Sequence, residues 1–151
     1  MACGKAGNGM LVRAACAQAY FAINLPDEAV YWTATVDGDG HPLSGQHDYI
    51  LRFPSGGLPP NHGFWSLTMT IAPGYLVANS ANRYSVGDRS GLVPNADGSI
   101  DIYLQTAAPP GHETNWLPAP RGDFKLWLRA YEPDAAVLTG AYRVPPVTEV
   151  R

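Results

Sequence analysis

The sequence predicts a mainly β protein, a jelly-roll-like antiparallel β sandwich with a short N-terminal helix. Runs of alternating apolar and polar residues recur along most of the chain, and a period of two is typical of half-buried strands. The 16 Gly and 14 Pro are spread between these runs, as expected for tight turns between short strands. Strands and helices do not alternate, so a parallel doubly wound sheet is not expected.

Length and composition indicate one folded domain. The 151 residues are 46% hydrophobic and 15% charged, which is typical of folded rather than disordered proteins. We expect residues 1–24 to form an N-terminal segment with the helix, and residues 25–151 to form the β-sandwich domain.

The N-terminal helix is predicted over residues 11–21, which are rich in alanine and contain no Gly or Pro. Asn24 and Pro26 end it. The apolar stretch 10–22 is interrupted by Arg13 and is too short to span a bilayer. The same arginine argues against a signal peptide, so we expect a helix of the mature protein and no membrane partner.

Each predicted strand is bounded by turn residues. Asp37-Gly38-Asp39-Gly40 follows the first strand, and Pro73-Gly74 separates the third from the fourth. A long loop over residues 107–120 holds four prolines. The predicted strands are 30–36, 49–53, 64–71, 75–77, 100–105, 124–131 and a last apolar run at 135–141.

Charge and cysteine content exclude some classes of function. The net charge is −3 and the basic residues are scattered, so no nucleic-acid partner is expected. Cys3 and Cys16 both lie in the N-terminal segment. As reduced thiols they fit a cytoplasmic protein, with a periplasmic or secreted location left open. A phosphate-binding loop and a dinucleotide fingerprint are absent, so no cofactor is expected.

Metal binding is not expected either. No pair among the four histidines has the spacing of a metal site; they are His41, His47, His62 and His112. Oxygen ligands at every second residue superficially resemble a calcium loop, but the closing glutamate is missing; these are Asn95, Asp97, Ser99 and Asp101. Asp97-Gly98 is better explained as a hairpin turn.

The candidate ligand site is a cluster of polar and aromatic residues in two loops. An arginine beside Tyr and Asn suits recognition of a carboxylate, phosphate or sugar, and tryptophans supply a platform for stacking. The candidates are Asn82, Arg83, Tyr84, Asp88, Trp65, Asn115 and Trp116. In the structural alternative, Arg83 pairs with Asp88 or another acid, Tyr84 caps the sandwich and Trp116 plugs its end.

Several sequence blocks stand in a fixed order between residues 25 and 150. They are Asp39-Gly40, Pro42-Leu43-Ser44-Gly45, Tyr49-Ile50-Leu51-Arg52-Phe53, Leu58-Pro59-Pro60, Phe64-Trp65-Ser66-Leu67-Thr68, Asn79, Asn82-Arg83-Tyr84-Ser85, Gly87-Asp88-Arg89, Asn95-Ala96-Asp97-Gly98-Ser99, Asn115-Trp116-Leu117-Pro118-Ala119-Pro120 and Arg129-Ala130-Tyr131 before Pro133. Together they resemble the domain of unknown function 1214. In longer bacterial proteins this domain usually follows the domain of unknown function 1254.

The resemblance implies a jelly-roll-like sandwich but brings no activity and no known site residues. Arg13-Ala14-Ala15 is similar to the segment that enters this domain in the longer relatives. Here only residues 1–24 precede the domain. We therefore expect that a site between two domains would be missing, or completed by another chain.

Three functions remain open. The preferred hypothesis is a non-enzymatic module in which Asn82, Arg83 and Tyr84 hold a small polar or sugar-like ligand, with Trp65 or Trp116 stacking on it. The first alternative is a structural role in which the chain forms a homo-oligomer through the helix at 11–21. The second is a hydrolase or isomerase that uses His and Asp residues from distant loops.

Overall fold

The computed structural model describes residues 24–150, and the predicted helix and both cysteines lie outside them. In this range no helix has the length and apolar character needed to cross a bilayer. A single helical turn, α1, spans Ala135–Leu138. The strands are β1 Ala29–Ala34, β2 Tyr49–Phe53, β3 Trp65–Ile71, β4 Tyr75–Leu76, β5 Ser85–Gly87, β6 Ile100–Gln105, β7 Trp116–Pro118, β8 Lys125–Tyr131 and β9 Val147–Glu149.

The strands form two sheets, so the prediction of a mainly β protein is confirmed. The first sheet has the order β1-β8-β3-β4, with β5 also paired to β3. The second has the order β7-β6-β2-β9. All pairs are antiparallel except β6 with β7, which is parallel. The prediction of an antiparallel sandwich is therefore wrong for this one pair. The proline-rich loop carries the chain back to the start of β6, as a parallel pair requires. Jelly-roll connectivity stays a prediction.

Side chains alternate along the strands as the sequence pattern predicts. In β8, Leu126, Leu128 and Ala130 are buried, whereas Trp127 and Arg129 are half-buried on the opposite face. The inward residues of both sheets meet in one hydrophobic core. Its strand members are Tyr49, Leu51, Phe53, Trp65, Leu67, Met69, Val86, Ile102, Leu104, Leu117, Leu126, Leu128 and Val147.

The last apolar run was predicted as a strand, and this is wrong for the part that forms α1. Asp134 caps the turn by accepting a hydrogen bond from the N–H of Ala135 at 3.1 Å. Gly140, at φ +75°, follows the turn. Local capping and alanine content thus outweigh the apolar pattern.

Three short strands were missed, namely β5, β7 and β9. Each has three residues, too few for alternation to be visible. β5 contains Gly87 and β7 contains Pro118, and both residue types are depleted in strands. Pairing with longer neighbours holds these segments extended, so tertiary context creates them.

Candidate functional site

Two cavities flank a junction between two loops, residues 42–46 and 120–124. The N–H of Gly45 donates to the carbonyl of Gly122 at 3.0 Å, and the N–H of Phe124 donates to the carbonyl of Leu43 at 3.1 Å. Ser44 and Asp123 face each other as an antiparallel bridge. This loop junction therefore supplies walls to both cavities.

The first cavity is an open cleft of about 690 Å³, here named the Trp116 cleft. Its lining is more polar than apolar. Its polar and aromatic side chains belong to Gln46, Asn79, Ser80, Thr106, Trp116 and Arg121. The backbone of the loop junction at Gly45 and Pro120 completes the wall.

Arg83 holds the loop that carries Trp116. Its guanidinium Nη1 donates to the carbonyl oxygens of Glu113 at 2.5 Å, Thr114 at 3.2 Å and Trp116 at 3.0 Å. Asn79 in turn fixes the Arg83 backbone, accepting from its N–H at 3.0 Å and donating to its carbonyl at 2.9 Å. The arginine pairs with backbone carbonyls and not with Asp88, so it is a positioning residue.

Asn115 is a structural residue, although the sequence placed it among the ligand candidates. It is 5% exposed. Its Oδ1 accepts from the N–H of Val93 at 2.8 Å, and its Nδ2 donates to the carbonyls of Val93 at 2.8 Å and Asp101 at 2.9 Å. Both ends of the amide are thus occupied, which joins the loop to β6.

Trp116 is half-buried and fixed at one edge. Its Nε1–H donates to the carbonyl of Gln105 at 2.8 Å, and the indole lines the cleft. A tryptophan anchored at its polar edge presents a rigid apolar surface at little cost in side-chain entropy. Trp116, which the structural alternative placed as a plug at the end of the sandwich, therefore also forms part of the wall of the cleft.

The other candidates lie elsewhere. Trp65 is 3% exposed and packs on Phe53, with ring centroids 5.6 Å apart, so its face is not available to a ligand. Tyr84 donates from its hydroxyl to Oδ1 of Asn82 at 3.3 Å, and both residues are exposed. Asp88 is exposed at the start of a 3₁₀ turn. None of these four is among the residues that line the Trp116 cleft.

Sequence reasoning missed most of the cleft. Asn79 had a signal, since it stands in the same polar block as Asn82 and Arg83. Ser80 lies in the same block, but nothing in the sequence singled it out. Gln46, Thr106 and Arg121 had no signal, because they come from loops far apart in the sequence and are ordinary surface residue types.

Arg52 contacts the oxygen-rich run that extends from Asn95 into β6. Arg52 Nη2 lies 2.9 Å from both Asp97 Oδ2 and Ser99 Oγ, and its Nη1 lies 3.5 Å from Asp101 Oδ2. The predicted turn is present, since the N–H of Gly98 donates to the carbonyl of Asn95 at 2.9 Å. The residues immediately before the turn, 91–96, form no strand, so the turn is not a hairpin. A guanidinium thus contacts three of the four oxygen-bearing side chains of this run.

Ser99 has the largest effect on the pKa of Asp97 in this network. Hydrogen bonds from its hydroxyl and its N–H, followed by Arg52, lower the pKa of Asp97 from 3.8 to about 2. The contribution of Asp97 to stability is therefore present above pH 3.8 and lost as the pH falls through 2. We expect Ser99→Ala to raise this pKa toward its ordinary value, measured by NMR titration of the carboxyl carbon. Ser80→Ala, remote from the network, is the control and must leave it unchanged.

The histidines are exposed and do not line the cavities described here. His47 Nδ1 lies 2.8 Å from Glu149 Oε1, and the pairs His41–Asp37 and His62–Asp134 are each 3.5 Å apart. Asp37, Asp39 and His41 bring three potential ligand atoms within 4.8 Å. Asp37 Oδ1 already accepts from the N–H groups of Asp39 and His41 at 2.9 and 2.8 Å, an arrangement typical of a turn.

Comparison with known proteins identifies relatives of unknown function. The sequence model of the family described as "Protein of unknown function (DUF1214)" matches residues 28–135. The crystal structure of the VPA0106 protein from Vibrio parahaemolyticus is similar over 93% of this chain, with 30% identity and a TM-score of 0.78. This chain spans 35% of that protein's length.

A second structure, of an uncharacterised protein from Burkholderia cenocepacia, aligns over 96% of this chain and 44% of its own, with 12% identity and a TM-score of 0.46. The search of curated proteins finds no match.

Proposed function

The chain belongs to the DUF1214 family, and on the basis of the site we propose that its domain is a non-enzymatic module that binds a small polar or sugar-like ligand in the Trp116 cleft. The observation that supports this most is the combination of one anchored indole with polar side chains in a single cleft. Small-molecule sites typically measure about 300–1,000 Å³, and the cleft falls within that range.

The chemistry of the lining favours a neutral or weakly acidic polyhydroxylated ligand. The carboxamide of Gln46 and the hydroxyls of Ser80 and Thr106 are exposed groups that both donate and accept hydrogen bonds. Arg121 is the cation of the lining and suits a carboxylate or phosphate substituent. Trp116 supplies the apolar surface on which the C–H face of a sugar ring can stack.

In this proposal the sequence candidates divide into two roles. Trp116 contacts the ligand, whereas Arg83 and Asn115 position the loop that carries it. Asn82, Tyr84, Asp88 and the buried Trp65 do not line the cleft and have no role in this proposal. A homo-oligomer and a cytoplasmic location stay predictions.

The test is a thermal-shift screen of neutral and acidic sugars, sugar phosphates and polyols, followed by calorimetry. Trp116→Ala and Ser80→Arg are expected to lower the affinity of any hit at least about tenfold, because one removes the platform and the other fills the cleft. Ala96→Arg adds the same charge on an exposed turn and is expected to bind like the unmodified protein. The proposal fails if no compound stabilises the protein, or if Ser80→Arg binds normally.

A further inference from the structure

The second cavity, on the other side of the loop junction, differs in chemistry from the Trp116 cleft. It measures about 550 Å³, and we name it the Lys125 pocket. Its lining is more apolar than polar. The apolar side chains come mainly from Val36, Pro42, Leu43, Ile71, Pro73 and Phe124. A cavity of this size and composition fits the usual description of a small-molecule site.

Lys125 is the cation of this pocket. Its ammonium Nζ lies 4.1 Å from the centroid of the Trp127 ring. Among residues 24–150 no carboxylate oxygen lies within 4.0 Å of it. Lys125 is half-buried beside apolar walls and its ammonium is in contact with none of these carboxylates. It is therefore a ready partner for an anion, because a charge-assisted hydrogen bond gains strength where water is partly excluded.

The tryptophan beneath the ammonium is held in place. Its Nε1–H donates to Thr70 Oγ1 at 3.0 Å, and Thr70 is only 6% exposed. The hydroxyl of Thr70 lies 3.5 Å from the carbonyl of Lys125. The aromatic support of the cation is therefore pre-organised, which lowers the entropy lost when a ligand binds.

We propose that the Lys125 pocket binds a small apolar carboxylate, with the carboxylate on the ammonium of Lys125 and the apolar body against Val36, Ile71 and Pro73. Asp123 also lines the pocket, but it is exposed, so solvent screens its repulsion of an anion. This site shares no lining residue with the Trp116 cleft. The proposal for the Lys125 pocket is therefore tested independently of the proposed function.

The chain offers a direct spectroscopic test, because its lysines are Lys5 and Lys125 alone. Reductive methylation with ¹³C-formaldehyde labels both lysines and the N-terminal amine. The ring current of Trp127, whose centroid lies 4.1 Å from Nζ, and the loss of the signal in Lys125→Arg identify the Lys125 resonance. Phenylacetate and octanoate are the probes, and acetate and phenylethanol are the controls. We expect saturable shifts of the Lys125 resonance with the two probes, and none of Lys5.

Variants separate charge from packing. Lys125→Met is expected to weaken phenylacetate binding at least about tenfold in calorimetry, because the anion loses its partner. Lys125→Arg keeps the positive charge and is expected to stay within about threefold. If neither probe shifts the Lys125 resonance up to about 10 mM, or if phenylethanol shifts it equally, the proposal is wrong. The measurement on the unmutated protein decides this even if a variant fails to fold.

Discussion

Asn115→Asp is expected to lower the free energy of unfolding by about 3–5 kcal/mol at neutral pH. The side-chain amide donates to two carbonyl oxygens, those of Val93 and Asp101, in a site with 5% exposure. A carboxylate has the same shape but no donor, so it would place a negative charge against two acceptors. Only the hydrogen bond from the Val93 N–H would remain, which does not compensate a buried charge for its lost hydration.

Urea denaturation measures the effect. Asn115→Ala is expected to cost about 2–3 kcal/mol, since it leaves three backbone groups without a partner but introduces no charge. Asn82→Asp is the matched control: it makes the same exchange at an exposed position in the neighbouring loop and is expected to change stability by less than about 0.5 kcal/mol. If Asn115→Asp is as stable as this control, the structural role of Asn115 is wrong.

Gly45→Ala is expected to open the loop junction and lower the free energy of unfolding by about 3 kcal/mol or more. A Cβ at this position would overlap the carbonyl oxygen of Pro120. The obstruction is backbone, and the Gly45 N–H is also bonded to Gly122 on the same loop. The two loops must therefore separate, because no side chain can rotate away.

Gly122→Ala is the matched control across the junction, since a Cβ there meets no atom within 4 Å. We expect this variant to unfold at nearly the same urea concentration as the original protein. Because the junction walls both cavities, Gly45→Ala should also abolish any ligand binding found in the Trp116 cleft or the Lys125 pocket. Equal stability of the two glycine variants would show that the loops do not approach as described.

The sequence alone was enough to predict the family relationship, the mainly β class and the inward faces of the long strands. Leu126 and Leu128 in β8, and Leu67 and Met69 in β3, alternate with polar or half-buried neighbours. A strand turns successive side chains to opposite faces, so a local pattern of two decides which residues point toward the core. Turn residues likewise act locally, as at Asp97-Gly98.

The roles of the candidate site residues were decided by the tertiary structure alone. Trp65 and Trp116 look equally suited to stacking in the sequence, yet one lies in the core and the other lines a cleft. Arg83 and Asn115 resemble ligand-binding residues, but backbone carbonyls more than ten positions away occupy their donors. Polar side chains serve whichever unpaired groups the folded chain brings near them. Those neighbours depend on long-range pairing of loops, which no local pattern encodes.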